Sequence, residues 1–132
     1  MSITAAQIGR VAEAYTEAWC SRSGIKVATF FSDNATSTIN KGEPSVGRAA
    51  IADAFEAFFL DLPDLVLYMD DLRTAGNQAI YLWTLEGTHR ETGHFVHIPG
   101  WQSWVLSADL HIAQVEVGYD TFEYDRQLRE GI

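Results

Sequence analysis

With one cysteine, three prolines and no long apolar run, this 132-residue sequence excludes several classes of protein at once. Cys20 has no second cysteine to pair with, so no disulfide framework can form within the chain, which fits a reducing cytoplasm. No apolar stretch approaches the ~20 residues of a membrane helix; the longest candidate, Ala54 to Leu60, is interrupted by Glu56. The first residues lack the basic segment and following apolar stretch of a secretory signal. Basic residues are scarce as well. Nine Lys and Arg stand against eighteen Asp and Glu, a net charge of −9, and they are scattered rather than gathered into a stripe. Nucleic acid and anionic membrane are thereby excluded as partners. A glycine-rich phosphate loop and a Gly-x-Ser-x-Gly nucleophile turn are also absent.

What remains is a hydrophobic fraction of 47%, enough for one domain with its own core. Thr4 and Gln7 have capping-box spacing, and Ile8, Val11, Ala12, Tyr15 and Trp19 follow on one helical face. This first helix ends near Gly24. A shorter helix follows, with Val27, Phe30 and Phe31 as its apolar side, then a strand from Ala35 to Asn40 and a turn over residues 41–44. A third helix starts around Gly47, carries Ile51, Phe55, Phe58, Phe59 and Leu62 on one side, and stops before Pro63. Beyond Pro63 the pattern alternates, predicting strands over 65–74, 78–90, 100–107 and 111–119 joined by short turns. The polar tail from Asp120 reads as a last helical turn or two. Three helices before a mainly antiparallel sheet give an α+β domain spanning residues 1–132.

A strongly curved sheet leaves space on its concave side, and helices that close it leave room for an apolar ligand. Tyr15, Trp19, Phe55 and Phe59 either line that space or fill it as core. Trp83 and Gly87 share a strand face with His89, which could point into the pocket as a donor or proton relay. Gln102 and Trp104 share a face on the next strand, and Asn40 ends the first strand where a polar side chain could meet a ligand. Glu116, Gly118 and Asp120 fall together on one face of the last strand, opposite Val115, Val117 and Tyr119. Asp120 is either an acid/base at the cavity mouth, where an apolar setting would favour its neutral form, or the N-cap of a C-terminal helix. His89, His94 and His97 match no zinc spacing and read as a solvated hairpin tip. Apolar residues on both sheet faces predict a homodimer built on the outer one.

Several segments in order carry a family resemblance. They are Tyr15-Thr-Glu-Ala-Trp19, Phe30 to Thr36, Gly47-Arg-Ala-Ala-Ile51, Gly87-Thr-His89, Gly100-Trp-Gln-Ser-Trp104 and Gly118 to Leu128. Together they resemble the SnoaL-like polyketide cyclase branch of the nuclear-transport-factor-two-like superfamily. The resemblance implies a cone-shaped α+β fold around a pocket. It also implies ring closure by aldol chemistry on a carbonyl-bearing metabolite, with no metal or other cofactor. The cyclases' acid/base Asp lies seven residues before a Gln-Leu pair; here that residue is Asp120, seven before Gln127. Gln102 and Trp104 stand on the strand where the cyclases place polar groups. Ketosteroid isomerase is a second relative, but its base would fall near Ile39, which cannot take a proton. An enzyme, a non-catalytic binder of an apolar metabolite and a dimeric interaction module all fit this reading.

Overall fold

The computed structural model describes residues 2–132. Its elements run α1 (Ala5–Cys20), α2 (Gly24–Ala28), β1 (Phe31–Ile39), β2 (Ser45–Val46), α3 (Arg48–Asp61), β3 (Val66–Ala75), β4 (Gln78–Thr88), β5 (Phe95–Leu106), β6 (Ile112–Tyr119) and α4 (Thr121–Glu130). The six strands form one open mixed sheet in the order β2-β1-β6-β5-β4-β3. Only β1 and β6 pair in parallel. This is the α+β architecture that the order of periodicities predicts. Among the described residues, no helix is long and apolar enough to cross a membrane.

The helices form for local reasons and are held by their apolar faces. Thr4 and Gln7 close a reciprocal capping box on α1, which then buries Ile8, Ala12, Tyr15, Ala18 and Trp19. α3 buries Ile51, Ala52, Phe55, Phe58 and Phe59. The sheet meets both helices with the inward residues of its strands, among them Leu67, Tyr81, Trp83, Leu85, Gln102, Trp104, Val115 and Val117. The core therefore lies between α1, α3 and one sheet face. The opposite face is open and carries Tyr68, Ile80, Phe95 and Trp101, each 41–48% exposed.

Several elements differ from the sequence expectation. The second helix ends at Ala28, so Phe30 follows it and Phe31 opens β1, paired with Ile112. Strand β5 starts at Phe95 rather than Gly100. Pro99 lies inside this strand, and its missing N–H costs nothing to the ladder. The His97 N–H turns away from β4 to reach Gln127 Oε1 at 2.7 Å, and Pro99, two residues on, directs its nitrogen to the same side. That side lies past the end of β6, whose pairing stops at Gly100. Finally, the tail is a full ten-residue helix, α4, docked through Tyr124 and Gln127.

Candidate functional site

Two hollows lie on opposite faces of the sheet, and they divide the residues that the sequence singles out. The inner one is a cavity of about 10 Å³, walled by Trp19, Phe55, Phe58, Leu67, Trp83, Leu85, Gln102 and Val117. It has room for about one water molecule, so the interior of the cone is filled by aromatic side chains. Trp19 packs against Phe55 and Phe59 with ring centroids 4.9 and 5.1 Å apart.

Among the described residues Gln102 is buried, as are the polar Ser37 and Gln127, and its amide explains the packing around it. Its Oε1 accepts from the Tyr15 hydroxyl at 2.9 Å and from the Trp104 indole N–H at 2.9 Å. Both lone pairs of that oxygen are thereby used. Tyr81 stacks on Trp104 at 5.0 Å, Tyr15 meets both rings edge-on, and the Tyr81 hydroxyl bonds Thr16 Oγ1 at 2.5 Å. Burial pushes the phenol pKa of Tyr15, and likewise that of Tyr81, well above the ordinary value, so both stay neutral donors. Trp19 Nε1 lies near the Tyr15 hydroxyl and partly opposes that rise, but it makes no hydrogen bond there. Trp83 Nε1 is likewise buried without a partner.

The outer hollow is a cleft of about 580 Å³, lined by Asn40, Lys41, Trp101, Glu116, Gly118 and Asp120 among others. Asp120 and Glu116 share a face, as alternation predicts, but it is the solvent-facing one. The expectation that Asp120 faces the mouth of the interior pocket is therefore corrected: the apolar partners of the alternation, Val115 and Val117, take the inner face. Asp120 is exposed and caps α4, its Oδ1 accepting from the Glu123 N–H at 3.0 Å. Asn40 turns in the left-handed region (φ 50°), and its Oδ1 accepts from the Tyr119 N–H at 2.9 Å.

His89 reaches neither hollow. The β4–β5 hairpin closes around it, with its Nδ1 2.9 Å from Thr92 Oγ1, and Thr92 in turn bonds the Leu128 carbonyl on α4. His94 Nδ1 also meets that carbonyl, at 3.2 Å, and is half-buried, so the hairpin tip is anchored to α4 rather than fully solvated. His97 Nδ1 lies 3.3 Å from Glu86. Among the described residues no three His, Cys, Asp or Glu side chains are grouped to hold a metal.

Of the expected ligand-binding residues, Trp19, Phe55, Trp83 and Gln102 meet at the inner cavity. Tyr15, Phe59 and Trp104 stand one layer behind it as core, and Asn40 and Glu116 belong to the outer cleft. Phe58, Leu67, Leu85 and Val117 complete the inner wall, although sequence reasoning did not assign them to a site. The signal was present, since each belongs to the apolar set of its own helix or strand.

Residues 12–115 match the model of the SnoaL-like domain. No curated protein sequence matches the chain. Solved structures do. A protein assigned as a SnoaL-like polyketide cyclase, from Jannaschia sp. CCS1, superposes with a TM-score of 0.79 at 12% identity, over 94% of each chain. A protein of ketosteroid isomerase-like fold from Catenulispora acidiphila, in complex with trimethylamine, gives 0.78 at 14% identity, over 86% of this chain and 88% of its own. TerC co-crystallized with polyporic acid gives 0.80 at 14% identity, over 93% of this chain and 98% of its own. At such identities the likeness is one of fold.

Proposed function

The chain belongs to the SnoaL-like domain family, and we propose that it binds a small, uncharged, apolar molecule in the inner cavity between α1, α3 and the sheet. The observation that carries this reading is the composition of the wall: four aromatic rings, three aliphatic side chains and one amide, with no carboxylate and no cation. Such a wall holds an apolar body and orients it by few polar groups. It offers no general base, because no carboxylate, imidazole or amine stands among the wall residues. The reading is therefore a binder rather than an acid/base catalyst at this position. Two structural relatives are described with small organic molecules, which supports a small-molecule role for the fold.

The cavity is small at rest, so a ligand enters by displacing part of the aromatic wall. Phe58 and Trp19, 8% and 4% exposed, are wall residues that still touch solvent. Thermal shift with one-ring uncharged aromatics tests the reading. A saturable rise in melting temperature is expected. It should disappear in Leu85→Phe, which fills the cavity. No rise with any such compound contradicts the proposal.

A second reading keeps cofactor-free acid/base chemistry, with Asp120 as the acid/base at the outer cleft. It is favoured by the size of that cleft and by the meeting there of Asp120, Glu116 and Asn40. The same face carries the exposed Tyr68, Ile80, Phe95 and Trp101, and we propose that a second copy of the chain covers it. Such a homodimer would also close over the cleft.

A further inference from the structure

The seam between α1 and β3 is fastened by a thiol. β3 is an edge strand with β4 as its one neighbour in the sheet, so its other side turns unpaired backbone groups outward. The end of α1 covers them. Cys20 Sγ accepts from the Leu67 N–H at 3.4 Å and donates to the Leu67 carbonyl at 3.3 Å. Two residues on, an Arg22 N–H donates to the Leu65 carbonyl at 3.2 Å. A thiol is a weak donor and a weak acceptor, so this fastening is slight. It also stands at the inner cavity, because Leu67 and Trp19, the residue before Cys20, are both part of the wall.

Resting on the reading of that cavity as a small-molecule site, we propose that the Cys20 thiol is a latch that holds it shut, and that ligand binding parts α1 from β3 at Leu67. At rest the cavity has room for about one water molecule, so a ring fits only if a wall residue moves. Trp19 is the one with least to lose. Its indole nitrogen has no hydrogen-bond partner, and the residue after it is bonded to the sheet through the weak thiol contacts. The α3 side of the wall is tied more firmly. There Phe58 packs against Tyr119 and Tyr124, with ring centroids 5.8 and 6.2 Å apart, and the Tyr124 hydroxyl donates to Asp61 Oδ2 at 3.2 Å. The latch therefore opposes binding. Only the fraction of molecules with the seam open accepts a ligand, and the apparent affinity is lowered by that fraction.

The probe is α-methylstyrene, an uncharged one-ring aromatic, titrated by calorimetry into the intact protein and three variants. Cys20→Ala removes the thiol and should bind it roughly three- to tenfold more tightly than the wild type, the scale of a released hydrogen bond. Damage to the wall predicts the reverse. Cys20→Ser keeps a donor and an acceptor on the same carbon and should stay near the wild type. Tyr124→Phe releases the Asp61 bond on the α3 side and should leave affinity unchanged. Amide hydrogen exchange in the wild type needs no substitution: the Leu67 N–H, bonded to the thiol at rest, should exchange faster with the probe bound. Equal or weaker binding by Cys20→Ala, a gain in Tyr124→Phe instead, or Leu67 protection kept in the complex overturns the latch and leaves the pocket reading standing. Absence of binding by the wild type and every variant overturns the pocket reading and the latch together.

Discussion

Trp83 lies over Gly100 across the β4–β5 ladder, so close that a Cβ on Gly100 would stand 2.2 Å from Trp83 Cζ2. On the opposite face Trp101 lies over Gly118 in the same way, 2.3 Å from such an atom. Each glycine leaves a gap in the sheet that the neighbouring strand's tryptophan fills. The two pairs set the two hollows. Trp83 forms a wall of the inner cavity, and Trp101 forms a wall of the outer cleft.

Gly100→Ala should therefore act on the cavity through Trp83. The methyl group has no room unless the indole moves, which costs about 1–3 kcal/mol as overpacking. Chemical denaturation should show that loss, and small aromatics should bind more weakly than to the wild type. An unchanged midpoint would mean that Trp83 does not need the glycine.

Gln102→Leu should be among the most damaging single changes in the core. It removes the acceptor shared by Tyr15 and Trp104 and leaves two buried donors unpaired. The expected loss is about 2–4 kcal/mol by denaturant unfolding. A loss below about 1 kcal/mol would show that water replaces the amide.

Asp120 separates the two functional readings. As the cap of α4, Asp120→Asn should cost from a few tenths to about 1 kcal/mol, and Asp120→Ala about 0.5–2 kcal/mol. Neither should change binding in the inner cavity. If Asp120→Asn instead lowers turnover of a carbonyl substrate by roughly two to four orders of magnitude with stability preserved, the outer-cleft chemistry is correct.

The pH dependence has two sides. The bidentate Arg126 guanidinium and the Gln127 amide hold Glu123 down to about 2, below its ordinary 4.5. A depressed carboxylate stabilises the fold above its unfolded value, and that contribution fades as pH falls through its folded one. Gln127 links Glu123 to the His97 backbone, so α4 should loosen from β5 between about pH 4.5 and 2. The raised phenols of Tyr15 and Tyr81 act in the other direction. Their neutral forms are favoured in the fold, so stability should fall once pH rises past the ordinary phenol value of 10.0. Melting temperature against pH checks both flanks, and a flat alkaline side would contradict the burial of the two phenols.

Sedimentation at micromolar concentration should show a dimer that Trp101→Arg converts to monomer, since Trp101 stands 42% exposed on the outer face. A monomeric wild type would remove the homodimer proposal.

The fold was largely legible in the sequence because the long elements carry strong periods. The α1 face from Ile8 to Trp19 and the α3 face from Ile51 to Phe59 are core in the structure. The start of β5 was hidden by Pro99, whose tolerance depends on where β6 ends, a tertiary fact. The length of α4 was hidden because the helix buries only Tyr124 and Gln127 and is otherwise polar. At the site, residue type pointed to Trp19, Phe55, Trp83 and Gln102, which do meet. Alternation also separated Asp120 from Val115 and Val117, and an apolar set that faces the helices puts Asp120 outside. Which aromatics wall the cavity and which stand behind it depends on packing depth, and spacing carries no record of that.

The most direct test of the central claim is where a bound small molecule lies. With methyl-labelled Leu, Val and Thr, intermolecular nuclear Overhauser contacts from bound α-methylstyrene or acetophenone locate it. Leu67 and Leu85 line only the inner cavity, and Thr38 lines only the outer cleft. The account predicts contacts to the Leu67 and Leu85 methyls and none to Thr38. Contacts to Thr38 with Leu67 and Leu85 silent would contradict it and move the binding site to the opposite face of the sheet.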